Sequence, residues 1–228
     1  MGKKKRHHRI HREGRGIIVS LTFLIFAINV PIYLFVEEAR WIFAITLLLS
    51  AALLVFVTYF FRNPVRILEI NDPNLLIAPA DGRVVVIEPT RENEYFHENR
   101  LQVSIFMSPF NVHANWYPIE GRVLVSEHQD GSHKGAWLPK SSTENERSLV
   151  VIETPNKVQI AVRQIAGAMA RRIVTYAKPG GHSHRNEHFG FIKFGSRVDM
   201  YLPLDTEIFV SIGEQVTGNE TIIGRINS

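Results

Sequence analysis

The sequence predicts a mainly β domain, of barrel or sandwich type, preceded by a two-helix membrane hairpin. Three observations carry this. Two runs without a charged residue, Ile17 to Val36 and Trp41 to Phe61, lie close together near the N-terminus. From Arg83 onward the chain breaks into short β-branched segments separated by Gly, Pro, Asn or Asp, the pattern of many short strands. The charge is uneven: +4 in total, with seven Lys or Arg against one Glu in residues 1–15.

In chain order, residues 1–16 form a basic tail. The two runs hold 20 and 21 residues, and at about 1.5 Å per residue each helix reaches across a hydrocarbon core of roughly 30 Å. No polar face recurs at helical spacing in WIFAITLLLSAALLVFVTYFF, which separates it from an amphipathic core helix. The first run is too long for a signal peptide, lacks an A-x-A-like cleavage site, and is followed at once by the second. Only EEAR lies between them, so a tight hairpin (17–36 and 41–61) is expected, with both outer ends on one side. Lys and Arg near span ends set that side. The basic tail, Arg62 and Arg66 outweigh the single Arg of the loop. The chain is therefore expected to be a multi-pass protein of the cell (inner) membrane, with residues 62–228 on the cytoplasmic side. A basic tail also suits nucleic acid, but outside it the charge sums to −2, and no nucleic-acid partner is expected. The absence of cysteine excludes disulfides, a thiolate nucleophile and Cys-based zinc sites.

After a proline-rich connector, RVVVIEP, LQVSIFM, GRVLVSE, SLVVIETP, KVQIAVRQI, FGFIKF, RVDMYLP, TEIFVSI and TIIGRI read as strands. AGAMARRIVTY is ambiguous and reads equally as a helical turn. DGRVVVIE (81–88) and EGRVLVSE (120–127) share five of eight residues. A chance likeness of two turn-to-strand entries is the simpler reading; a duplicated β half-unit is the alternative. The ending GEQVTGNETIIGRI is similar to the last hairpin of lipoyl- or biotinyl-type domains, without a Lys to carry a swinging cofactor. A lipoyl/biotinyl-like β barrel-sandwich is therefore expected for residues 62–228.

FIKFGSRVDMYLP places Gly195 and Ser196 between two apolar runs. Gly-Ser is an ordinary turn pair, and a serine becomes nucleophilic only when an oriented base takes its proton. Of the ten histidines, His7, His8 and His11 belong to the solvated tail, and His128 and His133 flank a turn. His182, His184 and His188 sit in GGHSHRNEH, whose spacing matches no strong zinc pattern, so no metal is expected. His113 lies in the apolar stretch IFMSPFNVHANWYPIEG, where an imidazole needs a partner. Asp81, in APADGRV, is in a common turn signal. The residues alone leave two readings open: a core histidine with two turn residues, or an orienter, base and nucleophile.

FFRNP, APADG, FMSPFNVHANWYPIEG, LPKSSTENER, RQIAGAMARRIVTY, GFIKFGSRVDMYLP and TGNETIIGRI follow one another from residue 60 to the C-terminus. In this order they resemble the phosphatidylserine decarboxylases of the compact type found in archaea and many bacteria. The resemblance implies that the chain cuts itself between Gly195 and Ser196. Ser196 attacks the Gly195 carbonyl to make an ester, and elimination with loss of ammonia turns Ser196 into a pyruvoyl group. The pieces 1–195 and 196–228 would stay together as a heterodimer, with a higher oligomer left open. Asp81 and His113 match the family's relay, Asp81 orienting His113 as base and later proton donor. The substrate implied is phosphatidylserine in the membrane. Its amine would form a Schiff base with the pyruvoyl carbonyl, giving phosphatidylethanolamine and CO2. Lys140, Arg147, Arg171 and Arg172 are candidates for the lipid phosphate and equally well solvated cations. The His-rich loop exceeds what the resemblance requires.

Two other readings differ in kind. A membrane-anchored lipoyl-like adaptor would need a long helical insertion, and no heptad run exists. A lipid-binding protein without catalysis would have no use for Ser196, His113 and Asp81 together.

Overall fold

The structure is a computed structural model that describes residues 8–36, 40–131, 145–167, 172–193 and 196–227. It divides into two compact units, Met1–Val65 and Arg66–Ser228.

The first unit is a helical pair with a small strand pair at its base. Strand β1 (His8–Ile10) leads into helix α1 (Arg12–Phe35), then helix α2 (Arg40–Phe60) and strand β2 (Arg62–Pro64), which pairs antiparallel with β1. Helix α1 thus takes in residues 12–16 of the basic segment, capped by His11, whose ring accepts from the Glu13 amide. Both helices are long and apolar enough to cross a membrane. Asn29 in α1 donates to Ser50 of α2 at 3.0 Å and to the Ile25 carbonyl at 2.9 Å. A polar amide in an apolar helix pair is tolerated when it is bonded across the pair.

The second unit is mainly β, as the strand pattern predicts. Its elements are β3 (Leu75–Ile77), β4 (Gly82–Glu92), β5 (Glu98–Met107), β6 (Ala114–Trp116), β7 (Gly121–Gln129), β8 (Arg147–Glu153) and β9 (Gln159–Ala166). Then follow β10 (Arg172–Thr175), β11 (His182–Ser183), β12 (His188–Lys193), β13 (Ser196–Leu202), β14 (Glu207–Ile208), β15 (Gln215–Val216) and β16 (Ile222–Arg225). An eight-stranded antiparallel sheet runs β11-β7-β8-β9-β13-β5-β4-β15, flanked by two three-stranded sheets, β10-β12-β6 and β14-β16-β3. In the ambiguous AGAMARRIVTY, residues 172–175 form a strand and residues 168–171 lie outside the described residues. The closing segment is not a hairpin. Strand β15 pairs with β4 and β16 with β14 and β3, because the turn at 218–220 sends the chain from one sheet to another.

The repeated sequence is a repeated structure, which corrects the simpler reading given above. Strands β4 and β7 both carry a bulge two residues in, at Val84/Val86 and Val123/Val125. Gly82 and Gly121 both lie where a Cβ would fall 2.2 Å from a neighbouring carbonyl oxygen, of Phe106 and Glu153. Val84 exchanges backbone bonds with residues 213 and 214, as Val123 does with 180 and 181. The halves also meet reciprocally: the Ile77 amide donates to Pro118 and the Trp116 amide to Pro79, both at 2.9 Å. The order β3-β4-β5-β13-β14-β15-β16 therefore repeats as β6-β7-β8-β9-β10-β11-β12, the second set inserted between β5 and β13. Strands β9 and β13 lie side by side at the centre of the large sheet.

Alternation along β13 places Val198, Met200 and Leu202 in the main apolar core, with Val103, Ile105 and Met107 of β5 and Ile160 and Val162 of β9. On the opposite face, Arg163 bonds Glu92 at 2.7 Å, Glu94 at 3.0 Å and the Tyr201 hydroxyl at 2.5 Å. Burial pushes the Glu92 carboxyl up, but the amides of Phe96, Tyr95 and Glu94 and the charge of Arg163 outweigh it and hold the group below its ordinary range. Burial also pushes the Tyr201 phenol up, so it stays a neutral donor and acceptor.

Candidate active site

Ser196 opens β13 and is fully buried. It is held from both sides, opposite Met107 of β5 and Ala166 of β9. Its even-numbered position turns the hydroxyl toward the core face, and Oγ donates to the Met107 sulfur at 3.2 Å. Gly195, the other half of the expected cleavage pair, lies outside the described residues.

His113 lies on the short path from β5 to β6. Asn111 shapes that path: its side-chain oxygen accepts from the Ser108 amide and hydroxyl, both at 2.8 Å, and its own amide donates to Ser108 at 3.0 Å. The imidazole is fully buried, with Nδ1 2.9 Å from the Asn111 carbonyl. A carbonyl only accepts, so this contact puts the proton on Nδ1 and makes Nε2 the basic nitrogen of the neutral ring. The His113 carbonyl accepts from Ile192 at 3.2 Å. That tie fixes the histidine to the strand that runs into the Gly195–Ser196 segment.

Asp81 closes the turn before β4 and is buried. Its carboxylate meets the Arg66 guanidinium at 2.5 and 2.9 Å and accepts from the Gly218 amide at 2.8 Å. Among the described residues these are its partners, and His113 is not one of them. Arg66 also donates to the Gly218 carbonyl at 2.8 Å and lies over the Trp116 ring, 4.9 Å from its centre.

Met107 joins the pieces. Its sulfur receives Ser196 Oγ and lies 3.8 Å from Asn115 Nδ2. Asn115 accepts from Gln164 at 2.7 Å, and Gln164 accepts from Ser148 at 2.7 Å and Thr175 at 3.1 Å. Sequence reasoning missed Arg66, Met107, Asn115 and Gln164. One signal was present: Gln164 falls on the inward face of a strand whose neighbours there are apolar, where an amide needs partners.

The remaining candidates are dispersed. Arg147 is committed to Glu94 at 2.7 Å, and Arg172 is exposed; Lys140 and Arg171 lie outside the described residues. His182 and His184 are exposed, with ring centres 6.0 Å apart, and His188 stands edge-on to Trp116 at 4.9 Å. Among the described residues no three His, Asp or Glu side chains are grouped to hold a metal ion.

A buried serine at the head of a central strand and a histidine with a fixed tautomer, both in a β domain, belong with enzymes, and comparison with known proteins places this one among the decarboxylases. A family model described as phosphatidylserine decarboxylase matches residues 53–224. A phosphatidylserine decarboxylase proenzyme of Bacteroides fragilis is 52% identical over 224 residues, 98% of each chain. One of Parabacteroides distasonis is 51% identical over 96% of this chain and 99% of its own, and one of Cytophaga hutchinsonii is 48% identical with the same coverage. The chain belongs to the phosphatidylserine decarboxylase family.

Proposed function

We propose that this enzyme converts phosphatidylserine to phosphatidylethanolamine and CO2, using a pyruvoyl group made from its own Ser196 by cleavage after Gly195. The observation that carries the reading is the setting of Ser196: a fully buried hydroxyl at the first residue of a central strand, its hydrogen bond spent on a thioether. A ketone fits there. It gives up only a weak bond to sulfur, and the ladders to β5 and β9 hold the residue after its peptide link is gone. The pyruvoyl carbonyl would supply the electron sink that no ordinary side chain offers for the carbanion left when CO2 departs.

His113 takes the Ser196 proton during cleavage through Nε2, and in the decarboxylase it returns a proton to the substrate carbon. Asp81 is assigned the orienting role. To bond the imidazole directly, its carboxylate would have to exchange Arg66 for His113. The pieces 1–195 and 196–228 would remain one heterodimer, since the smaller supplies β13 to β16. Residues 17–61 would anchor it as a hairpin in the cell membrane, with the basic tail and residues 62–228 on the cytoplasmic side. The charge asymmetry at the span ends supports that sidedness.

The intact mass of the purified protein tests this. Two polypeptides are expected in place of one of 26.0 kDa, the smaller beginning with a ketone-bearing residue at position 196. Ser196→Ala should remain whole and inactive. A single full-length chain that still released CO2 from phosphatidylserine would overturn the proposal.

A further inference from the structure

Asn115 and Gln164 are fully buried amides on the core face of the domain, among mostly apolar side chains. Burying such groups is unfavourable unless their hydrogen bonds are met. Gln164 meets the condition: its oxygen takes two hydroxyls, of Ser148 and Thr175, and its nitrogen donates to Asn115. Asn115 does so only on its oxygen. Its nitrogen has, among the described residues, the Met107 sulfur at 3.8 Å, and a thioether is a weak acceptor. That same sulfur takes the Ser196 hydroxyl. The backbone is shaped around this device. At Gly190, a Cβ would fall 2.5 and 2.8 Å from the Gln164 amide, so only glycine admits it.

The duplicated half supplies the control. By strand register, Asn115 and Gln164 correspond to Leu76 and Leu202, and Ser148 and Thr175 to Leu101 and Ile208. All four counterparts are apolar and belong to or pack against the core. The fold therefore closes without polar groups at these places. They occur in the half whose Asn115 shares the Met107 sulfur with Ser196.

We propose that Asn115 is the hydrogen-bond donor for the oxyanion formed during self-cleavage, and that Gln164 is the positioning residue that aims it. The inference rests on the reading of Ser196 as the cleavage residue. The preceding carbonyl carbon is joined to Ser196 Oγ through four bonds, so it stays within about 5 Å of the hydroxyl whatever the local turn. When Oγ bonds to that carbon, the carbonyl electron pair moves to oxygen and the hydroxyl proton moves to His113. Asn115 Nδ2 donates to the oxygen while it is charged. Collapse re-forms the carbonyl and breaks the C–N bond, and the proton goes to the Ser196 nitrogen, leaving the ester. A donor that meets no oxygen among the described residues and one in the charged intermediate favours the transition state selectively.

The test follows cleavage of the newly made full-length chain on gels, separately from decarboxylation. Asn115→Leu carries the residue type of its counterpart and should fold, its thermal unfolding in a Ser196→Ala background still cooperative but lower than that of Ser196→Ala alone, because the Gln164 amide loses its acceptor. Its cleavage should slow by about 100-fold or more. Asn115→Asp keeps the shape and the acceptor for Gln164 but donates only when protonated, so its rate relative to wild type should rise as pH falls. Gln164→Leu should slow cleavage less than Asn115→Leu. Wild-type speed in a folded Asn115→Leu chain overturns the inference, as does an Asn115→Asp ratio that does not move with pH. A wild-type chain that stays whole overturns the cleavage reading itself and this inference with it.

Discussion

The carboxylate of Asp81 is clasped by the guanidinium of Arg66, at 2.5 and 2.9 Å, with both side chains nearly buried. The Gly218 amide and carbonyl complete a three-way clip. Residues 66 and 81 precede the proposed scission and residue 218 follows it, so the clip ties the two products together.

The clip sets the first prediction. Asp81→Asn removes the two-point partner of a buried guanidinium and leaves it the Glu220 carboxylate at 3.8 Å, at a cost of about 3 kcal/mol. Thermal unfolding of Asp81→Asn in a Ser196→Ala background should show that loss. Adding Arg66→Met should recover part of it, because the buried charge that lost its main partner is then gone. A double variant no more stable than Asp81→Asn would show that the pair is not coupled.

The duplication predicts matched sensitivities. Gly82→Ala and Gly121→Ala each place a methyl 2.2 Å from a backbone oxygen in the neighbouring strand, and backbone yields less readily than a side-chain end. Each should destabilise by ~3 kcal/mol, as overpacking at a bulge does. If urea unfolding found one neutral and the other severe, the structural equivalence of the halves would be wrong at that point.

Glu92 predicts an acid limit. Its folded-state pKa lies below the ordinary 4.5, so its contribution to stability is complete above that value and is lost as pH falls below it, through the depressed value. Unfolding followed between pH 6 and 3 should show stability falling on the acid side. Glu92→Gln should flatten that slope while lowering stability near neutrality, since Arg163 loses its partner at 2.7 Å. An unchanged slope in Glu92→Gln would remove Glu92 from the acid response.

The elements legible in the sequence were those written in local pattern. Hydropathy alone marked both helices, and the β-branched, turn-bounded segment RVDMYLP marked β13 as a strand. The five shared residues at 81–88 and 120–127 understated the duplication, because its clearest signs are backbone ones. Paired bulges and reciprocal bonds at Ile77 and Trp116 place no demand on side-chain identity. The closing segment misled for the opposite reason: turn residues between two short strands suit a hairpin, yet each strand found its edge in a different sheet.

Of the proposed site, Ser196, His113 and Asp81 were candidates from the sequence, through the resemblance carried by the short segments in which they lie. Their environments could not be read there. Arg66 reaches Gly218 across 152 residues of chain, and the Met107 sulfur meets Ser196 across 89. By itself the sequence determined the two long apolar helices, the β character of the remainder and the residue types available for chemistry, because these depend on neighbours a few positions away. Only the tertiary structure decided which of those groups share a partner. Burial and hydrogen bonding are set by whichever strands come to lie side by side, and here a second half folded into the middle of the first brought them together.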